Sequence, residues 1–219
     1  MGDILWQKKT IALILIGAIS LGVFTSNTVL ASELNAKTTL SQKSSDKVIE
    51  ENNEFIKTED NKGITIIYKD LLNKEYDTNE DDFSNISRMA RYTVKGVRDL
   101  GEYIDRSNAL ETVSGNSGMT LNLTLQKSIS SSASVTFGVS NSVISHSVGF
   151  NVSKSYSVSH SGSYKVPSNV NRAVVTAYPL YNKYEYGIYL RGRMGQPDVR
   201  MKTGYALKPI GIHYEKSFR

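Results

Sequence analysis

The sequence predicts an all-β fold, either an antiparallel β-sandwich or an elongated β-sheet, with a short N-terminal helix and a disordered leader. The 73 residues 112–184 contain no Asp or Glu, and they alternate apolar residues with Ser and Thr. Apolar residues occupy odd positions from Met119 to Val139 and even positions from Val148 to Val166. This period of two is typical of strands with one buried face, and a change of parity at a Ser- and Asn-rich segment indicates a turn.

The N-terminus has the pattern of a secretory signal peptide over residues 1–31. Lys8 and Lys9 precede an apolar run of 14 residues, and Val29 and Ala31 occupy the −3 and −1 positions of a cleavage site. The run is shorter than the roughly 20 residues of a membrane-spanning helix. We therefore expect a secreted, extracellular protein. The signal and the lack of Cys favour a Gram-positive source.

Composition divides the remaining chain. Residues 33–111 carry 17 acids and 12 bases, whereas residues 112–219 carry 3 acids and 12 bases. Residues 32–62 are rich in Ser, Asn, Lys and Glu and have few large apolar side chains, so they cannot offset the entropy of ordering. We expect 32–62 to be a disordered leader or propeptide and 63–219 to be one antiparallel β domain.

Each predicted element follows from local pattern. Ile64, Ile66 and Tyr68 alternate in a first strand that begins at Gly63, and Phe83–Tyr92 places its apolar residues on one face of a short helix. The β-branched and aromatic segment Tyr92–Ile104 predicts strand and turn, and Gly115–Gly118 predicts a tight turn. Long strands are then expected over Met119–Ile129, Ala133–Val139, Val148–Val166, Arg172–Leu190 and Val199–Tyr214.

Catalytic and metal-binding motifs are missing from the sequence. It has neither H-E-x-x-H, nor paired Cys and His, nor G-x-S-x-G. Asp77–Asp82 resembles the start of a calcium loop, but Asp82 and Arg88 stand where that loop needs Gly and Glu. We therefore predict no enzyme activity, no catalytic residue, no metal and no cofactor. Without a nucleic-acid-binding motif, we expect no nucleic-acid partner for an exported chain.

The alternating region predicts a membrane-inserting β-hairpin. Ala133–Val139 would pair with Val148–Val158, and Val143 and Ile144 would form its tip. Such a hairpin needs apolar residues toward lipid, small polar residues toward water and few charges, and this segment broadly meets these conditions, with Lys154 as the main exception. An ordinary surface strand of a sandwich alternates in the same way. The predicted membrane-insertion residues are Val135, Phe137, Val139, Val143, Ile144, Val148, Phe150 and Val152.

Two resemblances accompany this pattern. In its Ser- and Thr-rich character, the segment resembles the insertion hairpin of aerolysin-type β-pore-forming toxins, over about 30 to 50 residues. The run Ser134-Val-Thr-Phe-Gly-Val-Ser, with Ser147–Val158 and Tyr164-Lys-Val-Pro, resembles small uncharacterised secreted proteins of Gram-positive bacteria. The first resemblance implies insertion by a hairpin, and the second implies export and β structure over Gly63–Arg219.

Tyrosines and arginines crowd the C-terminal third, where rings beside cations could bind sugars, anionic headgroups or wall polymers. The leading interpretation is a non-enzymatic protein that acts at a membrane or cell surface as a β-pore-forming protein, with a homo-oligomer as the expected assembly. The alternative is a cell-envelope module that binds wall glycan or an anionic polymer. The expected partner is thus membrane lipid or cell-wall polymer. The predicted surface-binding residues are Tyr184, Tyr186, Tyr189, Arg191 and Arg193.

Overall fold

The computed structural model describes residues 47–73, 91–134 and 138–219. Within these ranges it has twelve strands, all paired antiparallel, and two helices, which confirms the all-β class. The elements are β1 (Lys47–Glu51), β2 (Phe55–Glu59), β3 (Gly63–Tyr68), α1 (Lys69–Leu72), β4 (Tyr92–Ile104), β5 (Glu111–Asn116), β6 (Thr120–Asn122), β7 (Leu125–Ser130), β8 (Ser132–Ala133), α2 (Asn141–Val148), β9 (Ser155–His160), β10 (Ser163–Lys165), β11 (Arg172–Leu190) and β12 (Val199–Phe218). The predicted signal peptide, the acidic segment Asp77–Asp82 and residues 83–90 of the predicted helix lie outside the described residues.

The main sheet is built on the long hairpin of β11 and β12. Its strand order is β1-β2-β3-β12-β11-β4, while β5 pairs with the first part of β11 and β8 pairs with β12. The predicted strand Arg172–Leu190 coincides with β11, and Tyr92–Ile104 coincides with β4. Gly96 and Gly101 both have positive φ, at the two places where the expected breaks fall in β4. This sheet is the support on which the rest of the described chain packs.

A two-stranded ribbon, formed by β6, β7, β9 and β10, covers part of one face of the main sheet. It is held there by a buried apolar cluster to which both layers contribute. Each large aliphatic side chain that is fully buried contributes about 1.5–3 kcal/mol. The ribbon supplies Leu121, Leu123, Leu125, Ile129, Tyr156 and Val158, and the sheet supplies Ile64, Ile66, Ala173, Val175, Ala177, Ile212 and Tyr214.

The prediction of a disordered leader over 32–62 is wrong for its second half. β1 and β2 lie in it, and β2 pairs with β3 along its whole length. The hairpin turn is closed by Asp60, whose carboxylate accepts hydrogen bonds from the backbone N–H groups of Lys62 and Gly63. Ile56 and Thr58 become buried on this pairing. A short strand can therefore form on little apolar surface, because an existing sheet edge supplies its backbone partners.

The predicted pairing of Ala133–Val139 with Val148–Val158 is also wrong in this structure. Ser132–Ala133 pairs with β12, and the expected hairpin tip is the helix α2. No helix among the described residues is long and apolar enough to cross a membrane.

Candidate functional site: the ribbon and its tip segment

The two halves of the ribbon share one continuous register. β6 pairs with β10 from Thr120–Lys165 to Asn122–Ser163, and the positions in each pair add up to 285. The same total holds in the β7–β9 ladder, which ends at the pair Ser130–Ser155. Two further backbone hydrogen bonds join residues whose numbers also add up to 285. They run from Leu123 N–H to the Gly162 carbonyl and from Ser131 N–H to the Lys154 carbonyl. The ribbon is therefore one long hairpin rather than two separate ladders.

This register sorts the side chains onto two faces. The odd residues of β6 and β7 stand opposite even residues of β9 and β10, so the two apolar sets found in the sequence share one face. The other face carries hydroxyl and amide groups, and the hydroxyls of Ser130 and Ser155 lie 2.7 Å apart. The cations Lys127 and Lys154 fall on the apolar face, where they interrupt it. The polar pairs are Asn122–Ser163, Gln126–Ser159, Ser128–Ser157 and Ser130–Ser155, and the pair Thr120–Lys165 adds one cation to this face.

The chain leaves this hairpin at Ser131 and Lys154. We call residues 131–134 and 138–154 the tip segment. Ser131 is buried, and its hydroxyl donates to the Lys154 carbonyl at 2.8 Å and accepts from the Lys154 N–H at 3.0 Å. Beyond this point β8 turns to β12, and the returning chain forms α2. The tip segment is thus packed on the sheet instead of continuing the ribbon.

The predicted insertion residues that the structure describes all lie in one buried cluster. Ile144 is fully buried, and Phe150 is 1 % exposed. They pack with Val94 of β4, Tyr186 and Ile188 of β11, and Ala206 of β12. Val135 and Phe137 lie outside the described residues. The remaining members are Val139, Val143, Val148 and Val152.

The local structure of α2 depends on caps and packing more than on helix propensity. The Ser140 hydroxyl accepts from the Val143 N–H at 3.4 Å, and Gly149 ends the helix in the left-handed conformation with φ 78°. The eight helical residues are Asn-Ser-Val-Ile-Ser-His-Ser-Val, all of types with only modest helix propensity. The helix is therefore stabilised mainly by the burial of its apolar face.

Tyr186 anchors the tip segment to the sheet. Its side chain is fully buried, and its hydroxyl donates to the Ser134 carbonyl at 2.9 Å. Gly204 makes room for the ring, because a Cβ at this position would lie 2.4 Å from it. Tyr186 is consequently a core residue, and the prediction that it binds a ligand at the surface is wrong for this structure.

The other predicted surface-binding residues differ in their exposure and in their neighbours. Tyr184 is half-buried and packs against Phe150, with ring centroids 5.4 Å apart. Tyr189 is half-buried beside Lys95, and Arg191 is half-buried, whereas Arg193 is exposed. The five residues therefore do not form one surface.

The structure does show one cation–aromatic cluster that sequence spacing cannot reveal. Lys183 of β11 lies 5.0 Å from the ring centre of Tyr103 on β4 and 4.7 Å from that of Tyr205 on β12. Both tyrosines are exposed at about 40 %. The three residues belong to distant parts of the sequence, so only the strand register brings them together.

The base of the ribbon contacts the N-terminal strands across a cleft of about 570 Å³. The Tyr68 hydroxyl donates to the Ser159 carbonyl at 2.7 Å, and the rings of Phe55 and His160 meet edge to face at 6.3 Å. Burial, and then the charge of Lys57, lower the pKa of His160 below its ordinary value. His160 therefore joins the ribbon to the sheet as a neutral imidazole.

Among the described residues, no three carboxylates or imidazoles come together as a metal site.

Comparison with known proteins finds a likeness in structure. No protein-family description matches the chain, and no curated protein matches it in sequence. Part of the chain is weakly similar in structure to parasporin-2, a Bacillus thuringiensis toxin that recognizes cancer cells, with 15 % identity and a TM-score of 0.21. The match covers 58 % of this chain and 68 % of parasporin-2. A TM-score this low leaves the function to be inferred from the residues of this chain.

Proposed function

We propose that this protein is a secreted, non-enzymatic β-pore-forming protein, and that the tip segment detaches from the sheet and extends the ribbon into a membrane. The observation that carries the proposal is the ribbon register. If this register continues beyond Ser131 and Lys154, Ala133 pairs with Val152, and Val139 pairs with His146. The apolar residues of the tip segment then fall on the same face as Leu125 and Ile129 of the ribbon.

The length of the extension fits a bilayer. Continued beyond the observed pair Ser130–Ser155, the register would place residues 132–141 opposite residues 144–153, which would give two strands of ten residues joined by a two-residue turn. Ten residues span about 33 Å along the strand, or about 23 Å across the membrane at a tilt near 45°. This matches the apolar band of a transmembrane barrel, which is about 25 Å tall.

The composition of the extension also fits. Residues 132–153 contain no Asp, Glu, Lys or Arg. By sequence position, Val135, Phe137, Phe150 and Val152 belong to the face that would meet lipid, and Lys154 would stand at the membrane boundary. The opposite face would line a water-filled lumen with small polar residues. These are Ser132, Ser134, Thr136, Gly138 and Ser140 on one strand, and Ser145, Ser147, Gly149, Asn151 and Ser153 on the other.

A disulfide that ties the tip segment to the sheet tests this proposal. Ala133 and Ala206 are opposite residues of β8 and β12, and the neighbouring bond from Ser134 N–H to the Tyr205 carbonyl makes theirs a non-hydrogen-bonded pair. Side chains approach most closely at such pairs. We expect Ala133→Cys/Ala206→Cys to release dye from liposomes only when reduced, and to release none when oxidised.

The ribbon offers a matched control. Ser128 and Ser157 are an exposed pair of the same geometry, and they stay opposite each other whether or not the ribbon extends. Oxidised Ser128→Cys/Ser157→Cys should therefore release dye as the wild type does. Equal release by both oxidised variants would contradict the proposal. Val143→Asp is a less selective test, because Val143 is 5 % exposed and a carboxylate there would unfold α2 itself.

The cation–aromatic cluster favours a second candidate function, binding to wall glycan or an anionic polymer. Tyr103 and Tyr205, each about 40 % exposed, both lie beside the Lys183 ammonium. Sedimentation with purified cell walls that is lost in Tyr103→Ala/Tyr205→Ala, and kept in Tyr178→Ala on the same sheet, would support this function. If the wild-type protein does not sediment with walls, this candidate is removed.

A further inference from the structure

The loop between β11 and β12, residues 191–198, presents an apolar side chain with no packing role. Met194 is 103 % exposed and has φ 52°, in the left-handed region that residues other than Gly seldom adopt. Val199 and Met201, at the start of β12, are 56 % and 44 % exposed. Neither local backbone preference nor burial accounts for a methionine at position 194, so its apolar side chain needs another explanation.

The surroundings of this loop are strongly basic. The loop and the adjoining strand ends, residues 91–95 and 191–202, contain six Lys and Arg and one acid, Asp198. Asp198 binds Lys95 at 2.7 Å and accepts from the Gly192 N–H at 2.9 Å. Lys95 also holds the pKa of Asp198 below its usual value. The cations are Arg91, Lys95, Arg191, Arg193, Arg200 and Lys202.

We propose that the β11–β12 loop docks the protein on an anionic lipid bilayer. Met194 would enter the boundary between headgroups and acyl chains, with Val199 and Met201 behind it, while Arg193 and Arg200 bind headgroup phosphates. A lipid surface offers both an apolar layer and negative charge, and this loop has a matching feature for each. A free anionic polymer would account for the arginines but not for the exposed methionine.

The loop lies at the end of the main sheet that also supports the tip segment. Leu190, the last residue of β11, is two positions from Ile188, which packs in the cluster around α2. Val94 of the same cluster is two positions from Tyr92, the register partner of Leu190. Docking through this loop would therefore bring the tip segment close to the bilayer. This consequence rests on the proposed function, whereas docking itself is measured separately.

Vesicle flotation tests the docking, using residues 32–219 as the mature chain that the sequence predicts. The vesicles are phosphatidylcholine alone, or phosphatidylcholine with phosphatidylglycerol. Arg193→Gln/Arg200→Gln should lower partitioning into the anionic vesicles about fivefold for each charge removed. Met194→Asn should lower it about tenfold, and Asn tolerates the left-handed backbone conformation.

Two variants outside the loop are matched controls. Met119→Asn removes another exposed methionine, and Lys62→Gln removes an exposed cation about 50 Å along β12 from the loop. Both should partition as the wild type does. The inference is overturned if the loop variants also bind as the wild type does, or if neutral and anionic vesicles bind the wild type equally. Binding to soluble teichoic acid that Met194→Asn leaves intact, without vesicle binding, would overturn it too.

Docking and pore formation can fail independently. The Met194→Asn variant can be held at the vesicle surface by a C-terminal His tag bound to nickel-chelating lipid. This tether takes the place of docking through the loop. Dye release by the tethered variant would show that the ribbon acts once it is held at a membrane. A wild-type protein that floats with anionic vesicles but never releases dye would contradict the proposed pore and leave the docking inference standing.

Discussion

Replacing Ile144 by alanine should destabilise the folded protein more than any exposed aliphatic substitution. Ile144 lies in α2 of the tip segment and is fully buried against the sheet. The truncation removes three carbons, worth about 2.4 kcal/mol at about 0.8 kcal/mol per buried CH₂. The cavity left behind raises the expected loss to about 3 kcal/mol, within the usual 2–5 kcal/mol for such changes.

Urea unfolding followed by far-ultraviolet circular dichroism measures this loss. Val48→Ala is the matched control, because Val48 is 55 % exposed on the edge strand β1 and should change stability by less than about 0.5 kcal/mol. A loss below about 1 kcal/mol for Ile144→Ala would refute the reasoning, since it would mean that α2 contributes little to the folded state.

The same variant separates stability from insertion. In the extended hairpin Ile144 stands next to the turn, so its truncation costs the inserted form less than the packed form. Dye release by Ile144→Ala should therefore be faster than that of the wild type. Slower release from a destabilised variant would show that detachment of α2 is not the step that limits insertion.

Three further predictions concern the Tyr186 hydrogen bond, the helix end at Gly149 and the pKa of His160. Tyr186→Phe removes the hydrogen bond to Ser134 and should lower the unfolding free energy by about 1 kcal/mol; an unchanged urea midpoint would argue against that anchor. Gly149→Ala should lower the melting temperature more than Gly149→Asn, because Asn adopts positive φ more readily; equal shifts would contradict the helix end seen here. The lowered pKa of His160 means that its contribution to stability is present above about pH 6.5 and is lost as the pH falls through the lowered value. Acidification should thus lower the urea midpoint of the wild type more than that of His160→Gln, and parallel losses would exclude His160 as the cause.

Alternation in the sequence predicts which face of a strand is buried, and this part of the fold follows from the sequence directly. β3 begins at Gly63 as expected, and the long strand β11 has the expected bounds. Alternation does not specify the partner strand, however. β8 follows the expected pattern but pairs with β12 and not with the returning chain.

The helix in the tip segment had signals that the alternation concealed. Val143 and Ile144 are adjacent apolar residues, which a strand with one buried face does not produce but a helix can bury together. Ser140 and Gly149 occupy the positions of helix caps. The burial of Tyr186, in contrast, had no local signal in the sequence. It depends on Gly204, which lies in another strand.

The absence of charge from residues 132–153 exceeds what the packed structure requires. Several of these positions are exposed, among them Ser140, Asn141 and Ser153, and a folded protein tolerates charge there. Ser140→Asp makes the difference measurable. Asp is as good a helix N-cap as Ser, and its charge is favourable at a helix N-terminus, so the stability of the packed form should stay equal or rise by a few tenths of a kcal/mol.

Insertion should nevertheless suffer from Ser140→Asp, because the carboxylate stands beside the turn and must cross the bilayer with it. Dye release should fall at least tenfold, while Ser128→Asp, which lies below the membrane-crossing part of the ribbon, should release dye as the wild type does. Unchanged release by Ser140→Asp would mean that this segment does not cross the membrane, even if the disulfide between positions 133 and 206 blocks release. If Ser140→Asp keeps its full stability but no longer releases dye, the lack of charge in residues 132–153 serves the inserted form. The packed form would not be stabilised by that lack of charge.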